Sequence, residues 1–151
     1  VDHRDFQILL ADDDEDDCMF FKEALDELAL CATLKTVNNG VALMDFLENN
    51  LSNLPQVLFL DLNMPLKSGA ECLTEIKRSA KFRHLPVIIY STSSNIDVMD
   101  QLYAKGAQYY IRKPADFSDL KSVINRTIEL IQQTKDMQSS REEFVIQASS
   151  K

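Results

Sequence analysis

Short apolar runs alternate with longer amphipathic stretches along the chain. Residues 6–11 (FQILLA) read as a buried strand, and 32–37 as a second, β-branched at Thr33, Thr36 and Val37. Residues 57–60 (VLFL), 87–90 (VIIY) and 108–111 (QYYI) read as three more. The stretches between them carry apolar stripes at helical spacing. Residues 15–28 place Phe21, Leu25 and Leu28 in line, with Ala24 beside them. Residues 41–50 offer Leu43, Met44 and Leu47, and residues 69–79 offer Cys72, Leu73 and Ile76. A helix capped by Ser94 or Asn95 runs to about residue 105 with Met99, Leu102 and Tyr103 inward. A last helix over 117–133 aligns Leu120, Val123, Ile124, Ile128 and Ile131. Asn38-Asn39-Gly40, Pro55, Pro86 and Gly106 punctuate the series.

The pattern makes five βα units. Strands apolar on both faces predict a parallel sheet covered by helices on both sides. A length of 151 residues suits one domain, residues 1–134. Residues 135–151 form a polar tail, broken by Phe144-Val145-Ile146, too short for an output domain. This tail is expected to fray, to extend the last helix, or to dock its three apolar residues.

Composition narrows the function. Hydrophobic residues at 45% and charged residues at 26% are an ordinary globular balance. The net charge of −8 disfavours nucleic acid and anionic membranes as partners. No apolar run reaches the ~18 residues of a membrane span, and no secretory pattern opens the chain. Cys18, Cys31 and Cys72 have no metal-site spacing, so reduced thiols and a cytoplasmic location are expected. His3 and His84 have no zinc or triad partners and read as surface residues.

In open parallel sheets, ligands bind beyond the carboxyl ends of the strands. Asp12, Asp13 and Asp14 follow the first strand, and Asp61 and Asn63 the third. Ser91, Thr92 and Ser93 follow the fourth, and Lys113 and Pro114 the fifth. Each has an ordinary explanation alone: the acidic run 12–17 suits a helix start, Ser91 a cap, Lys113 the surface. Together at one edge they point to chemistry. Crowded carboxylates force one to hold a proton or call a cation between them. An oxygen-only ligand set selects a hard cation, Mg²⁺ above all. Metal, lysine and hydroxyl together suit a phosphoryl group, and a carboxylate there can hold an acyl phosphate.

The chain resembles the receiver domain of bacterial two-component response regulators from residue 6 to about 133. The motifs are Leu10-Ala11-Asp12-Asp13-Asp14, Leu58-Phe59-Leu60-Asp61-Leu62-Asn63-Met64-Pro65 with Gly69, Val87-Ile88-Ile89-Tyr90-Ser91, and Tyr110-Ile111-Arg112-Lys113-Pro114. The resemblance implies a flavodoxin-like doubly wound (βα)5 fold with a five-stranded sheet of order 2-1-3-4-5. It implies Asp61 as phosphoacceptor, with Asp13, Asp61 and the Asn63 carbonyl as Mg²⁺ ligands and Asp12 acting through water. Lys113 is implied to bond the phosphoryl oxygen, Ser91 to be the switch hydroxyl, and Tyr110 to rotate inward with it. A cis Lys113-Pro114 bond is also implied. Asn63, Thr92 and Ser93 would tune the phosphate's lifetime; Thr92 stands where a small residue is usual, and Ser68 where Asp is frequent.

A receiver of this kind takes its phosphoryl group from a sensor histidine kinase or a histidine phosphotransfer protein. It is not an enzyme beyond its own phosphorylation and dephosphorylation. It would switch a face made by the fourth helix, fifth strand and fifth helix, for a downstream protein or a homodimer. The single-domain form and the acidic run that opens the first helix look similar to the branch that works with phytochrome-type or other sensor kinases. An aspartyl-phosphate phosphohydrolase is the alternative, but Asn63 stands where such enzymes carry a second Asp. A flavin module is a third reading, disfavoured because the acidic run 12–17 would repel a cofactor phosphate.

Overall fold

The computed structural model describes residues 6–134 and 137–148; His3 and residues 135, 136 and 149–151 lie outside them. The elements are β1 (Phe6–Ala11), α1 (Glu15–Glu27), β2 (Ala32–Val37), α2 (Gly40–Asn49), β3 (Val57–Leu60) and α3 (Gly69–Arg78). They continue as β4 (Val87–Ser91), α4 (Ile96–Ala104), β5 (Tyr109–Arg112) and α5 (Phe117–Thr134). A 3-10 turn (Arg141–Glu143) then leads into β6 (Val145–Ile146).

All strand pairs are parallel, in the order β2-β1-β3-β4-β5-β6. Alternation along β1 separates two cores. Ile8 and Leu10 meet Phe21, Leu25, Val123 and Ile124 of α1 and α5. Leu9 and Ala11 join Leu43, Leu73 and Met99 of α2, α3 and α4. β1 lies between β2 and β3, so the order in which strands are added reverses about β1 and opens a crevice beyond its carboxyl end.

The sheet has six strands where five were expected, and the sixth comes from the tail. Of the three fates expected for the tail, docking is the one observed, over residues 137–148. Val145 and Ile146 pair with Tyr110 and Ile111, and the Tyr110 N–H donates to the Phe144 carbonyl at 2.9 Å. The reason is that β5 would otherwise present an unpaired edge beside apolar aromatic rings. Phe144 is fully buried, 5.1 Å from the Tyr103 ring and 6.1 Å from that of Tyr110.

Helix starts follow the sequence closely. Asn39 caps α2, accepting from the Ala42 N–H at 2.7 Å, so the Asn-Gly signal is a helix start as well as a turn. Gly40 is needed there because a Cβ would collide with the Lys67 carbonyl. Asn95, not Ser94, caps α4. Ser68 caps α3 reciprocally with Glu71, which accounts for a serine at that place.

Candidate functional site

The crevice beyond β1 and β3 collects acids. The Asp12 N–H is held by the Val37 carbonyl at 3.0 Å and that of Asp61 by the Ala11 carbonyl at 2.9 Å, so both side chains start at fixed points on the sheet edge. Asp12 is fully buried, Asp61 nearly so, and Asp13 exposed. One carboxylate oxygen from each lies within 4.8 Å of the others. Gly69 lets α3 close against this loop, since a Cβ there would strike the Asp61 carbonyl.

One cation stands among them. Lys113 Nζ is 2.8 Å from Asp12 Oδ2, 2.8 Å from Asp17 Oδ2 and 3.8 Å from Asp61 Oδ1. It also lies 5.2 Å from the centroid of the Tyr90 ring. Burial acts to lower the Lys113 pKa, but the close Asp12 and Asp17 carboxylates outweigh it and hold the ammonium above its ordinary range. Burial pushes Asp61 up, from 3.8 to about 7. Lys113 and the Asn63 N–H oppose that rise, and the Asp12 charge and a hydrogen bond with Asp12 assist it. Burial and the neighbouring Asp12 push the Cys18 thiol up to about 11, so it is no nucleophile at neutral pH.

The arrangement fits a divalent cation. The donors are all oxygens, which suits a hard ion. Asp12 Oδ2 is buried and makes no hydrogen bond, its short approach to Lys113 being ionic. A buried charge that is ion-paired but not hydrogen-bonded still carries a desolvation cost, which a further positive group would offset. Asp61 and Asp12 repel unless one is protonated or a cation intervenes.

Around this centre, Ser91 is fully buried and its Oγ accepts from the Ser93 N–H at 3.1 Å. Its carbonyl accepts from the Lys113 N–H at 2.8 Å, tying β4 to the start of the Lys113 loop. Asn63 and Thr92 are exposed at the rim and Ser93 is half-buried. Tyr110 is fully buried and donates its hydroxyl to the Ser93 carbonyl at 2.7 Å, so its ring is inward here. The Lys113–Pro114 bond is trans, where the resemblance implied cis; all described peptide bonds are trans. Trans is the intrinsically favoured isomer of an X–Pro bond, and the link from Lys113 to Ser91 forms with it.

Two participants were not anticipated as such. Asp17 read as one more helix-start acid, yet its carboxylate holds Lys113. Tyr90 read as a core strand residue, yet its face lies near the ammonium. For Asp17 the signal was its phase, since it stands one helical turn beyond Asp13. Tyr90 follows from the alternation along β4, which directs it to the same face as Phe59 and Phe21.

Residues 8–125 match the response regulator receiver domain family. The chain is 34% identical over 131 residues to the probable methanogenesis regulatory protein FilR2 of Methanothrix harundinacea, covering 85% of this chain and 82% of that one. It is similar to the phosphorylated cyanobacterial phytochrome response regulator RcpA, at 31% identity and a TM-score of 0.75, covering 90% and 99% of the two chains. It is also similar to the Mn²⁺-bound form of the response regulator Rcp1, at 28% identity and a TM-score of 0.71, covering 89% and 96%.

Proposed function

This chain belongs to the response regulator receiver domain family, and on that premise we propose that Asp61 is its phosphoacceptor, charged from a phosphohistidine. An Asp61 carboxylate oxygen attacks phosphorus. The O–P bond forms as the P–N bond breaks, and the electron pair returns to the imidazole nitrogen, which takes a proton. Lys113 offsets charge on the phosphoryl oxygens, and the Ser91 hydroxyl donates to one of them after leaving the Ser93 N–H. Mg²⁺, held by Asp13, Asp61 and the Asn63 carbonyl with Asp12 acting through water, would neutralise further phosphoryl charge and favour ionised Asp61.

The observation that carries this reading is the joining of one nearly buried carboxylate, two further acids and one lysine at the strand-order reversal. The donor is a sensor histidine kinase or a histidine phosphotransfer protein. Asn63, Thr92 and Ser93 stand at the rim, where they tune the lifetime of the acyl phosphate. The output is a population shift. When the Ser91 hydroxyl turns to the phosphoryl group, it releases the Ser93 N–H, and the Ser93 carbonyl holds Tyr110. The altered face is that of α4, β5 and α5, with residues 138–146 laid upon it. A homodimer or downstream protein using that face meets the tail. Among the described residues no helix is long and apolar enough to cross a membrane. Three free thiols suit a reducing compartment, and a cytoplasmic location is part of the proposal.

Incubation with a small phosphodonor and Mg²⁺, followed by intact mass spectrometry, tests it. One phosphoryl group is expected on the wild type, dependent on Mg²⁺, and none on Asp61→Asn. Equal uptake by the variant would place the phosphoacceptor elsewhere.

A further inference from the structure

Asp16 and Asp17 are adjacent acids in the first turn of α1, and the helix dipole alone favours both. Their surroundings differ. Asp17 Oδ2 stands 2.8 Å from Lys113 Nζ, as close as Asp12 and nearer than the 3.8 Å to Asp61. An ammonium has three donors, and Asp17 takes one of them by a hydrogen bond, while Asp12 holds the charge by an ion pair. The two carboxylates that hold it are not equivalent. Asp12 is fully buried and belongs to the group of three whose oxygens converge for a cation. Its charge is shared with any ion that enters there. Asp17 lies outside that group, with its side chain 37% exposed, and keeps its whole charge for Lys113.

We propose that Asp17 is the resting counter-ion of Lys113 and sets how tightly the site holds a phosphoryl group, because a phosphoryl oxygen on Asp61 must compete with it. This rests on the receiver reading of Asp61 and Lys113. Asp17 touches no reacting atom, so it is a positioning residue that acts through the lysine. Removing its charge leaves Lys113 undivided and also removes a repulsion on the incoming dianion. Both effects strengthen binding, whereas loss of a merely structural contact would weaken it or leave it unchanged.

Beryllofluoride, a phosphoryl analogue, can be titrated in the presence of Mg²⁺ and followed by ¹⁹F NMR. Wild type, Asp17→Asn, Asp17→Glu and Asp16→Asn are compared. Asp17→Asn is expected to bind about two- to fivefold more tightly, the size of a half-exposed ion pair. Asp17→Glu, which restores the charge, is expected to return towards wild type and guards against a folding artefact of the amide. Asp16→Asn removes the same charge one residue away and is expected to change nothing. Equal or weaker binding by Asp17→Asn overturns the proposal. So does an equal gain from Asp16→Asn, which would make the effect one of general charge. Absence of binding by the wild type would instead sink the receiver reading itself, and this inference with it.

Discussion

The acidic crevice and the tail-covered face are built at neighbouring margins of one sheet, and they handle polar groups in opposite ways. In the crevice, Asp12 and Asp61 are buried close together, and Asp12 Oδ2 has ionic company but no hydrogen bond. On the tail-covered face the polar groups are matched. Tyr103 donates its hydroxyl to the Ser139 carbonyl at 2.8 Å, and the Gln138 amide donates to the carbonyls of Tyr103 and Ala107 at 2.7 and 3.0 Å. The Ser139 hydroxyl donates to the Gln108 carbonyl at 2.6 Å, and Arg141 reaches Asp100 at 2.7 Å. One region is left in electrostatic conflict that a ligand relieves; in the other the chain supplies its own ligand. They meet at Ser93, whose N–H donates to Ser91 and whose carbonyl accepts from Tyr110.

The sharpest test of the contrast is Phe144→Ala. It empties a fully buried aromatic site, and urea denaturation should show a loss of about 3–5 kcal/mol. A loss well under 1 kcal/mol would mean that the tail contributes little packing, and the two regions would no longer differ in kind.

The crevice should respond to pH in the opposite sense from an ordinary paired carboxylate. Burial raises the Asp61 pKa above its unfolded value, so the folded state binds the extra proton between about pH 4 and 7. Stability of the metal-free protein should therefore fall as pH rises through that window, by a few kcal/mol at most, one pKa unit being about 1.4 kcal/mol. Asp61→Asn should flatten that slope and leave the protein more stable than wild type at pH 8. A steeper slope in the variant would locate the strain on another group.

Mg²⁺ should relieve the same conflict. At a hundredfold excess over its Kd it should add about 2.7 kcal/mol, seen as a rise in Tm. Asp13→Ala should remove most of that rise; an undiminished response would put the ion at another site. Thr92→Ala gives the smallest effect. Thr92 is exposed next to the buried Ser91, so its truncation should leave the core intact. A modest acceleration of phosphoryl uptake or loss is expected in a stopped-flow or quench assay, with no change in Tm. Unchanged rates would remove Thr92 from the residues that tune the site.

How far these regions were legible in the sequence follows from the range of the interactions. Runs such as Val57–Leu60 and Val87–Tyr90 declare a doubly covered strand by themselves, and Pro86 and Gly106 mark their neighbours' limits. The convergence of Asp12, Asp13, Asp61 and Lys113 follows once the strands are parallel, because each residue ends or follows one. β6 was not legible, since Val145 and Ile146 are too few to show a period and their pairing is dictated by the free edge of β5. Asp17 was hidden among six consecutive acids, of which only its helical phase sets it beside Lys113. The isomer of the Lys113–Pro114 bond has no local signal either, and there the expectation came from resemblance alone.

The docked tail has a consequence for competition. α5 ends at Thr134 and Gln138 already bonds to the face beside α4, so the segment is a ligand tethered by a very short connection. A tether of so few residues gives an effective concentration of the order of millimolar, independent of how much protein is present. Any other chain that seeks the margin of β5 must displace this occupant. The affinity it displays there is its intrinsic affinity reduced by the fraction of time the margin is bare.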